Sequence, residues 1–335
     1  MIDGQVLRTA SDTLKAHDSW IIFTHRKADG DAVGSASALF QAGVNSGRHV
    51  SWYSPDAALP EAYAFLPHYR EHTCTGKYAF GGNGTLYVFL DCANETRSVE
   101  GFDLSRNINA LNIDHHEDNS LYGRINCVDG YASSTCEVLY QVFKSGEWDI
   151  TADIARSLYT GIFTDSGGFN FSNTSPLTHR IAAELIERGA EPSKLADLIM
   201  QNKTSAGLNV WAKALSRVKT FGYNGMFALS WLYADDFASA GADMTETEGL
   251  PSMLMGLRGV KFIAMLTENP NGDIRCSFRS RDGSPFGAGE IARGFGGGGH
   301  ERASGATLKG TLMECTERIE GLLLQKYHEC SSAGE

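Results

Sequence analysis

The stretch THRKADGDAVGS (residues 24–35) sets a histidine and two aspartates, His25, Asp29 and Asp31, within seven residues. Carboxylates beside an imidazole suit a divalent cation such as Mn2+. The plainer reading is an acidic loop, with Asp-Gly as turn chemistry and Asp31 as a helix cap. Further acids and imidazoles stand at Asp91 in FLDCANETR, at Asp114, His115 and His116 in NIDHH, and at Asp165 in GIFTDSGGF. Gathered in one place, they could hold two divalent cations with a carboxylate shared between them. Such a pair clamps the attacking and leaving oxygens of an in-line displacement at phosphorus. A set rich in oxygen, with two imidazoles, favours Mn2+ over the thiolate sites that zinc prefers. No Ser/His/Asp or Cys/His nucleophile stands out, and Cys92 beside Asp91 reads as a small buried hydrophobe. A second signal is GFGGGGH (294–300), where Gly297, Gly298 and Gly299 let backbone N–H groups approach an anion, with His300 as an added donor. Arg279 and Ser280, in SFRSRDG, are candidate phosphate or carboxylate ligands. Phe169 and Phe171 read as core packing before base stacking.

The elements that must position these residues follow from the apolar pattern. SWIIF (19–23) reads as a buried strand, and the Ala-rich run after Asp31 as a helix ending near Gly47. RHVSWYS (48–54), GTLYVFLD (84–91) and INALNIDHH (108–116) are short, β-rich and mostly apolar on both sides, as strands of a covered parallel sheet are. Helices follow at 133–146, 151–168 and 175–192, the last with Ser, Pro and Gly189 as start and stop signals. The candidates thus fall at the C-terminal ends of successive apolar elements. In an open α/β sheet those ends share one edge, where ligands bind.

This pattern predicts an α/β fold: an N-terminal doubly wound, mostly parallel sheet over residues 1–195, a helical linker over 196–220 and a smaller mixed α/β domain over 221–330. The expected strands of the second domain are 225–233, 260–269 and 273–281, with helices at 286–294 and 311–327.

Composition bounds the function. The 335 residues suffice for two domains, each with its own core. A net charge of −11, from 40 acidic and 29 basic residues, argues against a long polyanionic partner, which needs a broad basic surface. A short phosphorylated ligand remains compatible where metal ions offset local charge. Seven cysteines without a Cys-x-x-Cys pair argue against a disulfide framework or a structural zinc, and fit a reducing cytoplasm. No signal peptide or membrane span is expected.

HRKADGDAVGS, FLDCANETR, IDHH and GIFTDSGGF resemble the four motifs of the DHH phosphoesterase superfamily, and SFRSRDG with GGGGHERASGA resembles its DHHA1 domain. The match runs in family order over about 20–308, and its spacing resembles the compact nanoRNase branch, the bifunctional oligoribonucleases and PAP phosphatases. The resemblance implies a cytoplasmic Mn2+-dependent phosphoesterase, with Mg2+ or Co2+ as alternative metals. One ion would be bound by His25, Asp29 and Asp91, and a second by Asp31, Asp91, His115 and Asp165. Asp114 would orient a neighbouring histidine, His116 would face the scissile phosphate and Arg97 would help position it. Arg279, Ser280, Gly297, Gly298, Gly299 and His300 would grip the far end of the substrate. Ser166 and Gly168 depart from the family's fourth motif. The implied substrates are very short RNA, pApA or pAp, with no long nucleic acid and no membrane as partners; a homodimer is an allowed assembly. The alternatives are a non-catalytic nucleotide- or RNA-binding protein, and a hydrolase of cyclic dinucleotides, pyrophosphate or polyphosphate.

Overall fold

The computed structural model describes residues 2–74, 84–98, 109–201 and 203–332. The chain divides into two compact units, residues 1–202 and 203–335.

In the first unit, six parallel strands form one sheet: β1 (Ser19–Phe23), β2 (His49–Ser54), β3 (His72–Cys74), β4 (Thr85–Leu90), β5 (Asn109–Asp114) and β6 (Ile125–Val128). Their spatial order is β3-β2-β1-β4-β5-β6. The order reverses between β1 and β4, which places a switch point, and its crevice, beside β1. Alternation explains why the central strands are apolar throughout. Trp20, Ile22, Leu86, Val88 and Leu90 enter the main core on one face. Ile21, Phe23, Tyr87 and Phe89 pack with Ala110 on the other. Both faces are covered, so neither needs polar residues. The short strands β3 and β6 lie at the sheet's edges and were not expected from the sequence, because three or four residues carry little periodicity.

The helices of this unit are α1 (Gly4–Ala16), α2 (Gly30–Asn45), α3 (Thr135–Ser145), α4 (Ala152–Asp165), α5 (Pro176–Glu187) and α6 (Pro192–Met200). Helix α2 is buried along most of its length because Ala, Gly and Ser let α4 approach closely. A Cβ on Gly34 would stand 2.6 Å from the Ser157 carbonyl oxygen. Helix α5 starts as its sequence predicts, with Ser175 capping, Pro176 in the first turn and Thr178 completing a capping box.

The second unit contains a mixed six-stranded sheet of order β11-β12-β10-β9-β8-β7. Its strands are β7 (Lys219–Phe221), β8 (Phe227–Leu232), β9 (Phe262–Glu268), β10 (Ile274–Ser280), β11 (Gly298–His300) and β12 (Ala303–Leu308). Only β8 and β9 pair in parallel. Helices α7 (Ser205–Ser216), α8 (Ala234–Ala240), α9 (Leu250–Leu254), α10 (Ala288–Gly294) and α11 (Leu312–Ser332) complete it.

The stretch 196–220, expected to be a helical joint, divides instead. Helix α6 contributes Leu195 to the first core, whereas α7 contributes Val210 and Ala214 to a core of the second. Each helix is amphipathic toward its own unit, and the break falls at 202/203. No helix among the described residues is long and apolar enough to cross a membrane.

Candidate metal centre

Three loops at the C-terminal edge of the first sheet and the end of one helix meet at the residues singled out above. His25 and Asp29 follow β1, Asp91 follows β4, and His115 and His116 follow β5. Asp165 is the last residue of α4, so this one ligand comes from a helix end.

Asp29, not Asp31, caps α2: its Oδ1 accepts from the N–H groups of Asp31 (3.0 Å) and Ala32 (3.1 Å). Asp31 turns inward and takes up another helix start. Its Oδ2 accepts from Thr135 N–H (2.6 Å) and its Oδ1 from Cys136 N–H (3.0 Å). Two of the N–H groups that α3 cannot satisfy internally are thereby paired, and the positive end of that helix faces a carboxylate. Thr135 Oγ1 also donates to Asp91 Oδ1 at 3.1 Å. Space for Asp31 depends on Gly161 of α4, where a Cβ would lie 2.6 Å from Oδ1.

Two histidines are locked from behind. His25 Nδ1 donates to the Arg26 carbonyl at 2.8 Å and His115 Nδ1 to the Ala132 carbonyl at 3.3 Å. Each Nε2 then faces carboxylates. His25 Nε2 is 3.2 Å from Asp91 and 3.9 Å from Asp29. His115 Nε2 lies 3.4 Å from Asp165, 3.6 Å from Asp91 and 3.9 Å from Asp31. An imidazole held through Nδ1–H meets these carboxylates in one of two forms. One is an imidazolium, which burial opposes at His25 but Asp29 and Asp91 favour more strongly in the metal-free chain. The other is a neutral ring whose Nε2 lone pair faces a cation set between them. Two ligands each about 2.1 Å from one ion stand about 3 to 4 Å apart, the separation seen here. The potential ligand atoms form three interlocking groups: His25, Asp29 and Asp91; Asp31, His115 and Asp165; and Asp91, His115 and His116. Asp91 and His115 each belong to two. The donors therefore fit hard or borderline divalent cations.

Charge distribution agrees. Burial and the nearby Asp91 carboxylate push Asp31 well above the ordinary carboxylate range. Burial, with Asp29 and Asp91, does the same to Asp165. Burial opposes charge at Asp91 as well, yet hydrogen bonding to His25 outweighs it and holds that carboxyl low. A buried crowd of acids with two members forced toward neutrality is relieved by added positive charge.

His116 is held differently. Its Nδ1 donates to Asp114 Oδ1 at 2.8 Å, and Asn119 Nδ2 donates to Asp114 Oδ2 at 2.6 Å. Burial alone would lower the imidazole, but the Asp114 carboxylate raises it to about 9. Asp114 is fully buried at the end of β5 and meets the centre through this ring. Cys92 is buried, donates to the Asn94 carbonyl, and burial pushes its thiol up to about 11, so it is no nucleophile. Arg97 is exposed, and its carbonyl accepts from Arg26 N–H at 2.7 Å, tying the loops after β1 and β4 together.

Sequence reasoning missed Thr135, Asn119 and Asn173. Asn173 Nδ2 donates to both the Ser133 carbonyl (2.9 Å) and the Asp165 carbonyl (3.1 Å). The helix expected over 133–146 is present, but nothing in its sequence says which carboxylate its start would meet. Phe169 packs against Phe163, Tyr159 and His179 as a core residue. Phe171 is 43% exposed, with its ring over Gly167, so burial does not account for it as it does for Phe169.

The remaining candidates lie in the second unit. Arg279, at the end of β10, donates through Nη1 to the Phe278 carbonyl, and its buried Nε has no hydrogen-bond partner. No carboxylate pairs with it among the described residues, and burial, with Arg275 nearby, lowers its pKa. Ser280 Oγ accepts from Ala288 N–H (3.1 Å) and donates to the Glu301 carbonyl (3.3 Å), which engages it within the fold. The glycine run is partly strand: Gly298–His300 forms β11 against β12. Cβ atoms on Gly297 and Gly299 would meet the carbonyl oxygens of Gly305 (2.1 Å) and Ala303 (2.8 Å), so close strand approach explains those two glycines. Gly298 meets nothing within 4 Å. The side chain of His300 lies outside the described part of the chain.

Comparison with known proteins places this geometry in context. The DHH family, N-terminal domain, matches residues 19–162, and the DHHA1 domain matches residues 226–329. The bifunctional oligoribonuclease and PAP phosphatase NrnA of Thermus thermophilus is 32% identical, across 98% of this chain and 95% of its own. The protein of the same name from Bacillus subtilis is 27% identical, across 88% and 91%. Among solved structures, an exopolyphosphatase-related protein from Bacteroides fragilis shares the fold with a TM-score of 0.88 at 24% identity, covering 98% of this chain and 97% of that one.

Proposed function

The chain belongs to the DHH family and is a phosphoesterase with a DHHA1 domain, and from that premise we propose that it is a two-metal, Mn2+-dependent enzyme that hydrolyses very short oligoribonucleotides, pApA and pAp to mononucleotides. The observation that carries the reading is the set of three ligand groups linked through Asp91 and His115. His25, Asp29 and Asp91 would hold one ion, and Asp31, Asp91, His115 and Asp165 the other. When bound, the ions supply an acidified water and neutralise charge developing on the phosphoryl oxygens.

The chain's own side chains do the rest. The carbonyls of Arg26 and Ala132 keep His25 and His115 in the tautomer that leaves Nε2 for the centre. Asp114 keeps the His116 ring oriented and charged near neutral pH, as a donor to an equatorial phosphoryl oxygen. Arg279 anchors an anionic group remote from the scissile bond, consistent with a buried Nε that has no hydrogen-bond partner among the described residues. The names of the NrnA relatives support short RNA and pAp as substrates. An acidic chain, with net charge −11, agrees with short substrates over long ones.

A substrate panel with Mn2+ tests this: pApA, pAp, cyclic di-AMP, a five-nucleotide RNA, a long RNA and pyrophosphate. The expected order of kcat/KM places pApA, the five-nucleotide RNA and pAp well above the other three. Preference for pyrophosphate, cyclic di-AMP or long RNA overturns the substrate assignment.

A further inference from the structure

Glu137 lies in the first turn of α3, where a Ser-x-x-Glu pattern ordinarily returns the acid to the N–H of the cap residue. Here Ser134 Oγ accepts from Glu137 N–H at 3.0 Å, but the carboxylate goes elsewhere. Its Oε2 accepts from Ser133 N–H (3.3 Å), Ser133 Oγ (2.6 Å) and Thr178 Oγ1 of α5 (2.7 Å). Glu137 is 2% exposed and has no cationic side chain within 4 Å among the described residues. A carboxylate buried on neutral donors is costly unless the geometry it enforces matters.

The segment it holds touches one half of the candidate centre. The Ala132 carbonyl accepts from His115, and the Ser133 carbonyl accepts from Asn173, which also holds the Asp165 carbonyl. Thr135 donates to Asp31 and Asp91, and Cys136 N–H to Asp31. Residues 132–136 thus reach Asp31, Asp91, His115 and Asp165. Among the described residues, neither His25 nor Asp29 is a hydrogen-bonding partner of this segment.

We propose that Glu137 is a positioning residue that acts mainly on one metal site, the one whose ligands Asp31, His115 and Asp165 all rest on the 132–136 segment, whereas the other site shares with that segment only Asp91. It acts by fixing the 132–136 segment between α3 and α5. The proposal rests on the two-metal reading above. Partners behind metal ligands typically change affinity about 10- to 100-fold when removed.

The test is Mn2+ titration of the metal-stripped full chain by calorimetry, with electron paramagnetic resonance of free Mn2+ as a second readout. Wild type is expected to bind two ions. Glu137→Ala should weaken one binding phase about 10- to 100-fold and the other, which shares only Asp91, by no more than about threefold. Glu137→Gln, which keeps an oxygen acceptor, should stay within about threefold of wild type, a rescue that loss of packing would not give. Ser133→Ala should weaken the same phase and decides the matter if Glu137→Ala does not fold. Equal weakening of both phases, or no weakening in the folded variants, overturns the positioning role while wild-type binding upholds the centre. Wild type binding fewer than two ions overturns the two-metal reading and this inference with it.

Discussion

Asp91 turns into the left-handed region, at φ +57°, directly after the last residue of β4. Few side chains tolerate that conformation, and Asp is one of them. The turn sets its carboxylate among His25, His115 and His116. At this scale the crowding of acids has a measurable consequence. Burial, Asp29 and Asp91 raise the Asp165 carboxyl, so the metal-free protein loses stability as pH rises above the ordinary carboxylate range. At pH 8 in EDTA, Asp165→Asn should therefore melt above wild type, by about 2 to 4 °C for roughly 1 kcal/mol relieved. Added Mn2+ should reverse the ranking, because under the proposed assignment the variant has lost a candidate ligand. A variant that melts below wild type in EDTA would show that Asp165 is not repelled.

Helix packing carries the centre one level up. Gly161 of α4 leaves room for the Asp31 carboxylate and for Cys136 Sγ, which would stand 2.3 Å from an added Cβ. Gly161→Ala should cost about 1 to 3 kcal/mol in urea unfolding and weaken Mn2+ binding, since Asp31 must give way. Unchanged metal affinity would show that Asp31 can move without consequence. In the second unit, Asp236 at the start of α8 accepts from Arg217 Nη2 (3.0 Å) and Tyr233 N–H (2.8 Å), with Lys213 at 3.2 Å. Burial favours the neutral acid, but Arg217 and the other donors bring Asp236 down to about 2. A carboxyl depressed on folding stabilises above its ordinary pKa near 4, and the contribution disappears as pH falls toward 2. Asp236→Asn should cost roughly 2 to 3 kcal/mol at pH 7, with the gap to wild type closing between pH 4 and pH 2 in urea titrations. A gap independent of pH would assign the effect to packing.

For the whole molecule the question is how labour is divided. The candidate ligands all belong to the first unit, whereas Arg279, whose buried Nε has no hydrogen-bond partner among the described residues, belongs to the second. Interactions remote from the reacting bond contribute binding and orientation. Arg279→Ala should lower kcat/KM on pApA by about 100-fold, the loss of a charge-assisted contact of about 2 to 3 kcal/mol. Hydrolysis of bis-p-nitrophenyl phosphate, which has no matching far group, should stay within about threefold at equal Mn2+ content. A parallel loss on both substrates would place Arg279 in the first unit's chemistry or in the fold itself.

The local pattern of the chain was enough for the parallel α/β class and for the gathering of the candidate ligands at one sheet edge. SWIIF and TLYVFL are apolar on both sides because both sheet faces are covered, and His25, Asp29, Asp91, Asp114 and His115 each fall at or just after a strand's end. Those signals are local, with period and position carried by adjacent residues. Other features required the folded chain. The cap of α2 went to Asp29 because Asp31 found the start of α3, over 100 residues away. Two glycines of the GGGG run serve strand packing, and Ser280 is engaged in the fold, since their neighbours are β12, α10 and Glu301, which no local window contains. Thr135, Asn119, Asn173 and Glu137 carry no chemistry in isolation. Their roles are hydrogen bonds to groups far apart in sequence, and only tertiary structure decides which donor meets which acceptor.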